Sequence, residues 1–140
     1  MSEPSPLFRG ALTDRQIDRR IAAAVFGYRI TEGPGGACAA STGAGADARL
    51  VEVPPVSTDL AAAFRAVDAA LDAGHADGFE ARQGGGPARE YRATFLRLRG
   101  TAEVPICGAS ANSMPRAICA ALLTLYAGGR PSAPGPRRLQ

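Results

Sequence analysis

The sequence has no lysine and no tryptophan, and it contains only three cysteines and one histidine. Structural zinc sites need about four Cys or His ligands at short spacings. The candidate ligands in this chain are far apart in the sequence: Cys38, His75, Cys107 and Cys119. We therefore expect no metal site. An odd number of cysteines without a CxxC pair is typical of free thiols in a reducing cytosol.

Long apolar runs are also missing, so we expect no membrane-spanning segment. The polar start, residues 1–6, lacks the apolar region of a signal peptide. A length of 140 residues favours one domain. We expect a flexible arm at 1–11, a single domain at 12–127 and a disordered tail at 128–140.

All 16 basic residues are arginine, and the formal net charge is +3. Arginine grips phosphates and carboxylates through its planar fork. A GC-rich genome also favours arginine, alanine, glycine and proline together, and we prefer that explanation for the overall composition. The pI of about 9.1 would suit a nucleic-acid binder. Because no basic run is clustered, nucleic acid is the least favoured partner.

Two amphipathic helices are predicted in the first half. Thr13 and Gln16 have the spacing of a capping box, and the helix they open should end near Gly27. The segment Pro54–Leu60 forces an extended approach, after which Ser57 or Thr58 caps a helix that ends near Ala73. Between them, the Gly/Ala-rich residues 31–49 indicate a loop, and residues 50–53 either a short strand or an extended entry into the Pro-Pro turn.

The second half predicts a β-hairpin and a buried helix. Residues 79–83 and 89–99 read as its strands, with a bulge or a sharp twist near Phe95, where the apolar register shifts. Residues 104–107 add an edge strand. Ser113 caps a last helix that is apolar on nearly every face. The fold class is therefore α+β: an α/β sandwich with three helices and an antiparallel sheet of three to four strands.

No catalytic residue or cofactor is assigned. Ser57, Asp59 and His75 can be combined on paper into a triad, but no nucleophile elbow supports it. His75 is expected to be solvated in its turn, and Cys119 to act as a small buried hydrophobe.

The arginines of the hairpin lie beside aromatic residues, which is the equipment for phosphates and stacked bases. A solvated sheet face explains them equally well. The Ser57/Thr58 helix start could also hold an anion, although capping is the simpler explanation. The candidate ligand-binding residues are Ser57, Thr58, Phe79, Arg82, Tyr91, Arg92, Arg97, Arg99 and Arg116.

Four segments carry a family resemblance: "LTDRQIDRRIAAAVFGY", "PPVSTDLAAAFRAV", "GFEARQ…YRATF" and "MPRAICAALL". With them, most of residues 12–127 resembles the phage ABA sandwich family, small proteins of bacteriophages and prophages. The chain departs from that family in having no tryptophan and a long Gly/Ala insertion at 33–48. The resemblance implies helices packed around an antiparallel sheet, and it does not imply an enzyme.

By analogy with small phage proteins that inhibit host immunity, we expect a non-enzymatic protein of the host bacterial cytosol. It would sequester a phosphate-bearing nucleotide signal, of the cyclic nucleotide or cyclic ADP-ribose type, at a site between protomers of a homo-oligomer. The alternative is a protein-binding module that inhibits a host enzyme or serves in phage assembly.

Overall fold

The computed structural model describes residues 12–32, 38–42, 49–84 and 90–128. The predicted arm and nearly all of the predicted tail lie outside these ranges. The helices are α1 (Asp14–Ala24), α2 (Leu60–Asp72) and α3 (Met114–Ala127). The strands are β1 (Arg29–Glu32), β2 (Cys38–Thr42), β3 (Arg49–Val51), β4 (Gly78–Gln83), β5 (Tyr91–Arg99) and β6 (Ala102–Ala111).

The strands form two antiparallel sheets, ordered β1-β2-β3 and β4-β5-β6. The three helices, the hairpin of β4 and β5, and the α+β class are confirmed. The smaller sheet contradicts the loop prediction for 31–49, because β2 lies wholly inside that segment, β1 ends in it and β3 begins at its last residue.

Helix α3 is the centre of the core. It packs on the β4–β6 sheet and also contacts α1 and α2. Seven consecutive residues, from Ala117 to Leu123, are buried. A helix that is apolar all round must be covered on several sides, and here a sheet and two helices cover it. The predicted Ser113 cap is confirmed, and Cys119 is buried as expected.

The turn before α2 is fixed by α1. The backbone N–H of Ser57 donates to the Asp18 carboxylate (2.8 Å), and the Ser57 hydroxyl donates to the carbonyl of Asp14 (3.3 Å). Ser57 is only 2% exposed. The predicted Ser57 or Thr58 cap is therefore wrong: Asp59 caps α2, accepting from the N–H of Ala61 at 3.0 Å. Because Ser57 faces α1, it cannot also serve the helix start.

Helix α1 begins as predicted and ends early. The capping box of Thr13 and Gln16 is present in both directions. The helix ends at Ala24 rather than near Gly27. Gly27 has a φ of 70°, a left-handed conformation that glycine adopts without steric cost, and it turns the chain into β1.

The predicted bulge near Phe95 is confirmed, but the extra residue belongs to the other strand. Phe95 pairs with Cys107 and Leu96 with Pro105, so that Ile106 is the bulged residue of β6. Strand β5 alternates without interruption. Its odd-numbered residues face the helices, where Ala93 and Phe95 are fully buried, and its even-numbered residues face away.

Phe95 tests how much the sheet–helix core contributes to stability. We expect Phe95→Ala to lower the free energy of unfolding by about 3–5 kcal/mol, because it leaves a cavity against α3. Urea unfolding followed by circular dichroism measures this. The matched control is Phe64→Ala: Phe64 is 41% exposed, and its loss should be about 1 kcal/mol. Equal losses in the two variants would contradict this account of the core.

Candidate functional site

The candidate site is a cavity of about 240 Å³ where the end of α2, the end of α3 and strands β5 and β6 meet. Two arginines line it, and we call it the arginine cavity. Its lining residues are His75, Arg97, Arg99, Ile106, Cys107, Thr124, Leu125 and Gly128. The β6 bulge lies in its wall, a position at which bulges commonly re-aim side chains beside functional sites.

Arg97 is held in place by the end of α2. Its guanidinium donates to the carbonyls of His75 (2.8 Å) and Gly74 (3.5 Å), and it lies 3.6 Å from the Asp77 carboxylate. A cation at a helix C-terminus is favourable because the last carbonyls carry partial negative charge. Arg97 therefore holds the turn that follows α2 and lines the cavity with the same group.

Arg99 is the more available cation. It is exposed at the end of β5 on the helix side of the sheet. Within the described ranges, no carboxylate forms an ion pair with it. The Asp77 carboxylate offsets part of the charge of Arg97, so Arg99 supplies most of the uncompensated positive charge in the cavity.

The other titratable groups of the cavity are biased toward their neutral forms. The pKa of His75 is lowered from 6.5, first because burial disfavours the imidazolium and second because Arg97 repels it. Burial raises the pKa of the Cys107 thiol. That thiol donates to the carbonyl of Ala121 at 3.7 Å. A largely protonated thiol is a poor nucleophile, so the surroundings of Cys107 do not activate its thiol.

His75 is not simply solvated in its turn, as the sequence suggested. Its ring packs on Tyr126 with centroids 4.0 Å apart. Tyr126 in turn lines an apolar groove of about 400 Å³ between α1 and α3, together with Ala23, Ala24 and Leu123. The ring pair thus joins a positively charged cavity to an apolar groove. Sequence reasoning missed His75 because its partner lies 51 positions away.

The predicted ligand-binding residues do not form one site. Only Arg97 and Arg99 line the arginine cavity. Phe79 and Tyr91 are half-buried and pack against the core; the Phe79 ring lies 5.0 Å from that of Phe95. Arg82 and Arg92 are cross-strand partners on the far side of the sheet. The alternation of side chains along β4 and β5 separates these arginines from the aromatic residues.

The remaining predicted residues lie near the start of α1. Arg116 forms an ion pair with Asp14 and donates to the carbonyl of Leu12 (3.2 Å), while Thr58 donates to the carbonyl of Pro55 (3.4 Å). Arg116 thus fastens α1 to α3, Ser57 fastens α1 to the turn before α2, and the Thr58 bond stays within that turn. They lie at the other end of α2, about 20 Å from His75 by the rise of a helix of this length, so one small ligand cannot reach both places.

A larger cavity, about 500 Å³, lies between α1 and the smaller sheet. Its charged lining residues are of both signs: Arg15, Asp18, Arg19 and Glu52. Asp18 already accepts from the turn before α2. Because the charges balance, this cavity favours no anion, and the arginine cavity remains the stronger candidate.

Within the described ranges, no group of three or more His, Cys, Asp or Glu side chains is placed to hold a metal ion. None of the described helices is long and apolar enough to cross a bilayer. Comparisons with protein-family models, curated proteins and solved structures give no match for this chain.

His75 is the only histidine of the chain, so its titration can be followed by NMR without ambiguity. We expect a midpoint below 6.5, and we expect Arg97→Gln to raise it because the repulsion is removed. A lowered pKa in the folded protein means that the unfolded chain protonates first. His75 therefore contributes stability above pH 6.5 that is lost as the pH falls through its folded pKa.

Arg92→Gln is the control for that titration, since Arg92 lies on the far side of the sheet. It should leave the midpoint unchanged. A titration midpoint at or above 6.5 would show that the His75 ring is solvated. A midpoint that Arg97→Gln does not raise would show that the charge of Arg97 does not act on the ring.

Proposed function

We propose that the protein is a non-enzymatic binder of a phosphate-bearing nucleotide, with the phosphate held in the arginine cavity. One observation supports the proposal most strongly. Two arginines line this cavity, and the pKa values of His75 and Cys107 beside them are shifted so that both side chains favour their neutral forms. Phosphate is recognised well by guanidinium groups, which donate two hydrogen bonds in a fixed geometry. Arg97 is already oriented by two carbonyls of the turn after α2, so less side-chain entropy is lost on binding.

The neighbouring groove supports a nucleotide over inorganic phosphate. The cavity alone is smaller than most ligand pockets, so it suits the phosphate-bearing part of a ligand. The ring pair of His75 and Tyr126 leads from it to the apolar groove. An aromatic base could lie on that side, because stacking on side-chain rings tolerates any base.

The resemblance to the phage ABA sandwich family extends this proposal to a biological role. On that basis we propose a phage or prophage protein that sequesters a cyclic nucleotide or cyclic ADP-ribose signal of host anti-phage defence. It would act in the bacterial cytosol as a homo-oligomer. Sequestration requires that the bound signal stays intact, which agrees with the raised pKa of the Cys107 thiol.

Calorimetry with cyclic nucleotides and cyclic ADP-ribose isomers tests the binding. We expect Arg99→Gln to weaken binding of the active ligand by roughly 10- to 100-fold, the usual effect of losing a hydrogen bond to a charged group. Arg82→Gln is the matched control, since Arg82 lies on the other side of the sheet and pairs with Glu80. No binding of any of these ligands by the wild-type protein would overturn the proposal.

The fate of the ligand separates sequestration from catalysis. The protein is purified after expression beside an active nucleotide-signalling defence system, heated, and the released small molecules are identified by mass spectrometry. An intact cyclic nucleotide is the expected result. A linear or hydrolysed product would mean that the protein is an enzyme.

A protein-binding role is the second candidate, and a specific surface favours it. Leu60 and Phe64 lie one turn apart on α2 and are both more than 40% exposed. Phe64 contacts the Phe79 ring edge-on at the margin of the sheet. Large apolar side chains exposed together mark protein contacts. Such a module would inhibit a host enzyme or serve in phage assembly.

Paired substitutions test that role. If a host protein binds through α2, its capture from host lysate should be lost in the Leu60→Ser/Phe64→Ser variant. Leu50→Ser is the control, because Leu50 is 82% exposed on β3, away from this patch. Capture that survives the double substitution, or that Leu50→Ser abolishes equally, would contradict binding through α2.

A further inference from the structure

The β4–β6 sheet has a face turned away from the helices, which we call the open face. The even-numbered residues of β5 point to it, and no described helix packs there. Leu98 on this face is 52% exposed. The residues that share the face by pairing are Gly78, Glu80, Arg82, Arg92, Thr94, Leu96, Leu98, Glu103, Pro105, Gly108 and Ser110.

Charge changes sign along the open face. At one end Arg92 faces Arg82 across the strands, and at the other Glu103 faces Leu98. Arg82 is paired with Glu80 at 2.6 Å, whereas Arg92 bonds only the Ser110 hydroxyl (3.1 Å). Within the described part of the chain, neither Arg92 nor Glu103 forms an ion pair. The face thus has an uncompensated cation at one end and an uncompensated anion at the other.

Two glycines make the open face flat. A Cβ added to Gly108 would lie 3.1 Å from the Arg92 guanidinium, and one added to Gly78 would lie 3.2 Å from the Glu103 carboxylate. Both charged side chains therefore lie along the sheet, over the space that a larger residue would fill. Between them the surface is small or apolar, with Leu96 paired to Pro105. A flat sheet face of this kind can pack against another sheet at a separation of about 10 Å.

We propose that the open face is the contact surface of a homodimer in which the two sheets pack face to face. The two-fold axis lies between the two sheets, parallel to their planes and perpendicular to the strands. It passes near Thr94 and Leu96. This arrangement is isologous, so each contact occurs twice. It sets Arg92 of one protomer against Glu103 of the other and joins the two Leu96–Pro105 regions at the centre.

A second copy fits this face better than another class of partner. Nucleic acids and anionic membranes need a surface of one sign, whereas here Arg82 and Arg92 are balanced by Glu80 and Glu103. A face that is positive at one end and negative at the other is complementary to its own copy turned end to end. The proposal is independent of the arginine cavity, which lies on the helix side of the sheet.

The area of the open face determines the affinity that we expect for the dimer. Three strands about 4.8 Å apart, of 6, 9 and 10 residues, present a small surface, so we expect a reversible dimer with a dissociation constant in the micromolar range. Its end contacts are electrostatic, so dissociation should increase with salt. Sedimentation equilibrium of the full chain measures both properties.

Charge exchange is the decisive experiment. Arg92→Glu and Glu103→Arg should each weaken the dimer by roughly 10-fold or more, because each places like charges at both ends. The double variant restores opposite charges and should return to within about 3-fold of the wild type. Arg65→Glu, on the exposed side of α2, is the control and should change nothing.

Three results would overturn the proposal: a wild-type protein that stays monomeric up to about 1 mM, single variants that dimerise like the wild type, or a double variant that is not restored. Circular dichroism checks that each variant is folded. If a charge variant unfolds, Leu96→Cys decides instead: facing sheets are too far apart for a direct disulfide, but a short bis-maleimide should link the two cysteines beside the axis. Absence of this cross-link, with Leu60→Cys as control, would equally overturn the proposal.

Discussion

The structure depends on the burial of α3. This helix carries apolar residues on nearly every face, with Arg116 as its one charged residue. Removing it from water requires cover from several directions, and no single neighbour supplies that. The β4–β6 sheet covers one side, and α1 and α2 cover others. Many of the contacting residues are alanines, such as Ala66 and Ala93, which let the backbones approach closely. The positions of the other elements follow from this requirement.

Arginines fasten the two ends of this arrangement, which explains why some of them are poor ligand candidates. Arg116 joins the start of α3 to α1 through Asp14, and Arg97 joins β5 to the end of α2. Each is only partly exposed and each has several partners. An arginine that holds elements together can still contribute charge to a cavity, as Arg97 does, but its removal alters the fold as well as the site. Arg99 is the cleaner probe of binding because it lacks such partners within the described ranges.

The sequence predicted those features that local chemistry decides. The Thr13 capping box and the Ser113 cap depend on residues close together in the chain, and the structure confirms them. The cap of α2 was missed because Ser57 has a more distant partner in Asp18. The strand β2 was missed because it lies in a Gly/Ala-rich segment without apolar alternation, whereas β3 overlaps the short strand expected at 50–53.

Most of the candidate site could not be predicted, because its membership is decided by which side of β5 a residue occupies. Arg92 and Arg97 look alike in the sequence, yet they lie on opposite sides of the sheet. The apolar register shifts after Phe95 since the core side is then occupied by Arg97, while Leu96 and Leu98 turn to the open face. As a result, the Arg97 cation lies on the helix side of the sheet, and Leu96 and Leu98 lie on the open face. The same strand thereby supplies both arginines of the arginine cavity and the apolar centre of the proposed dimer contact.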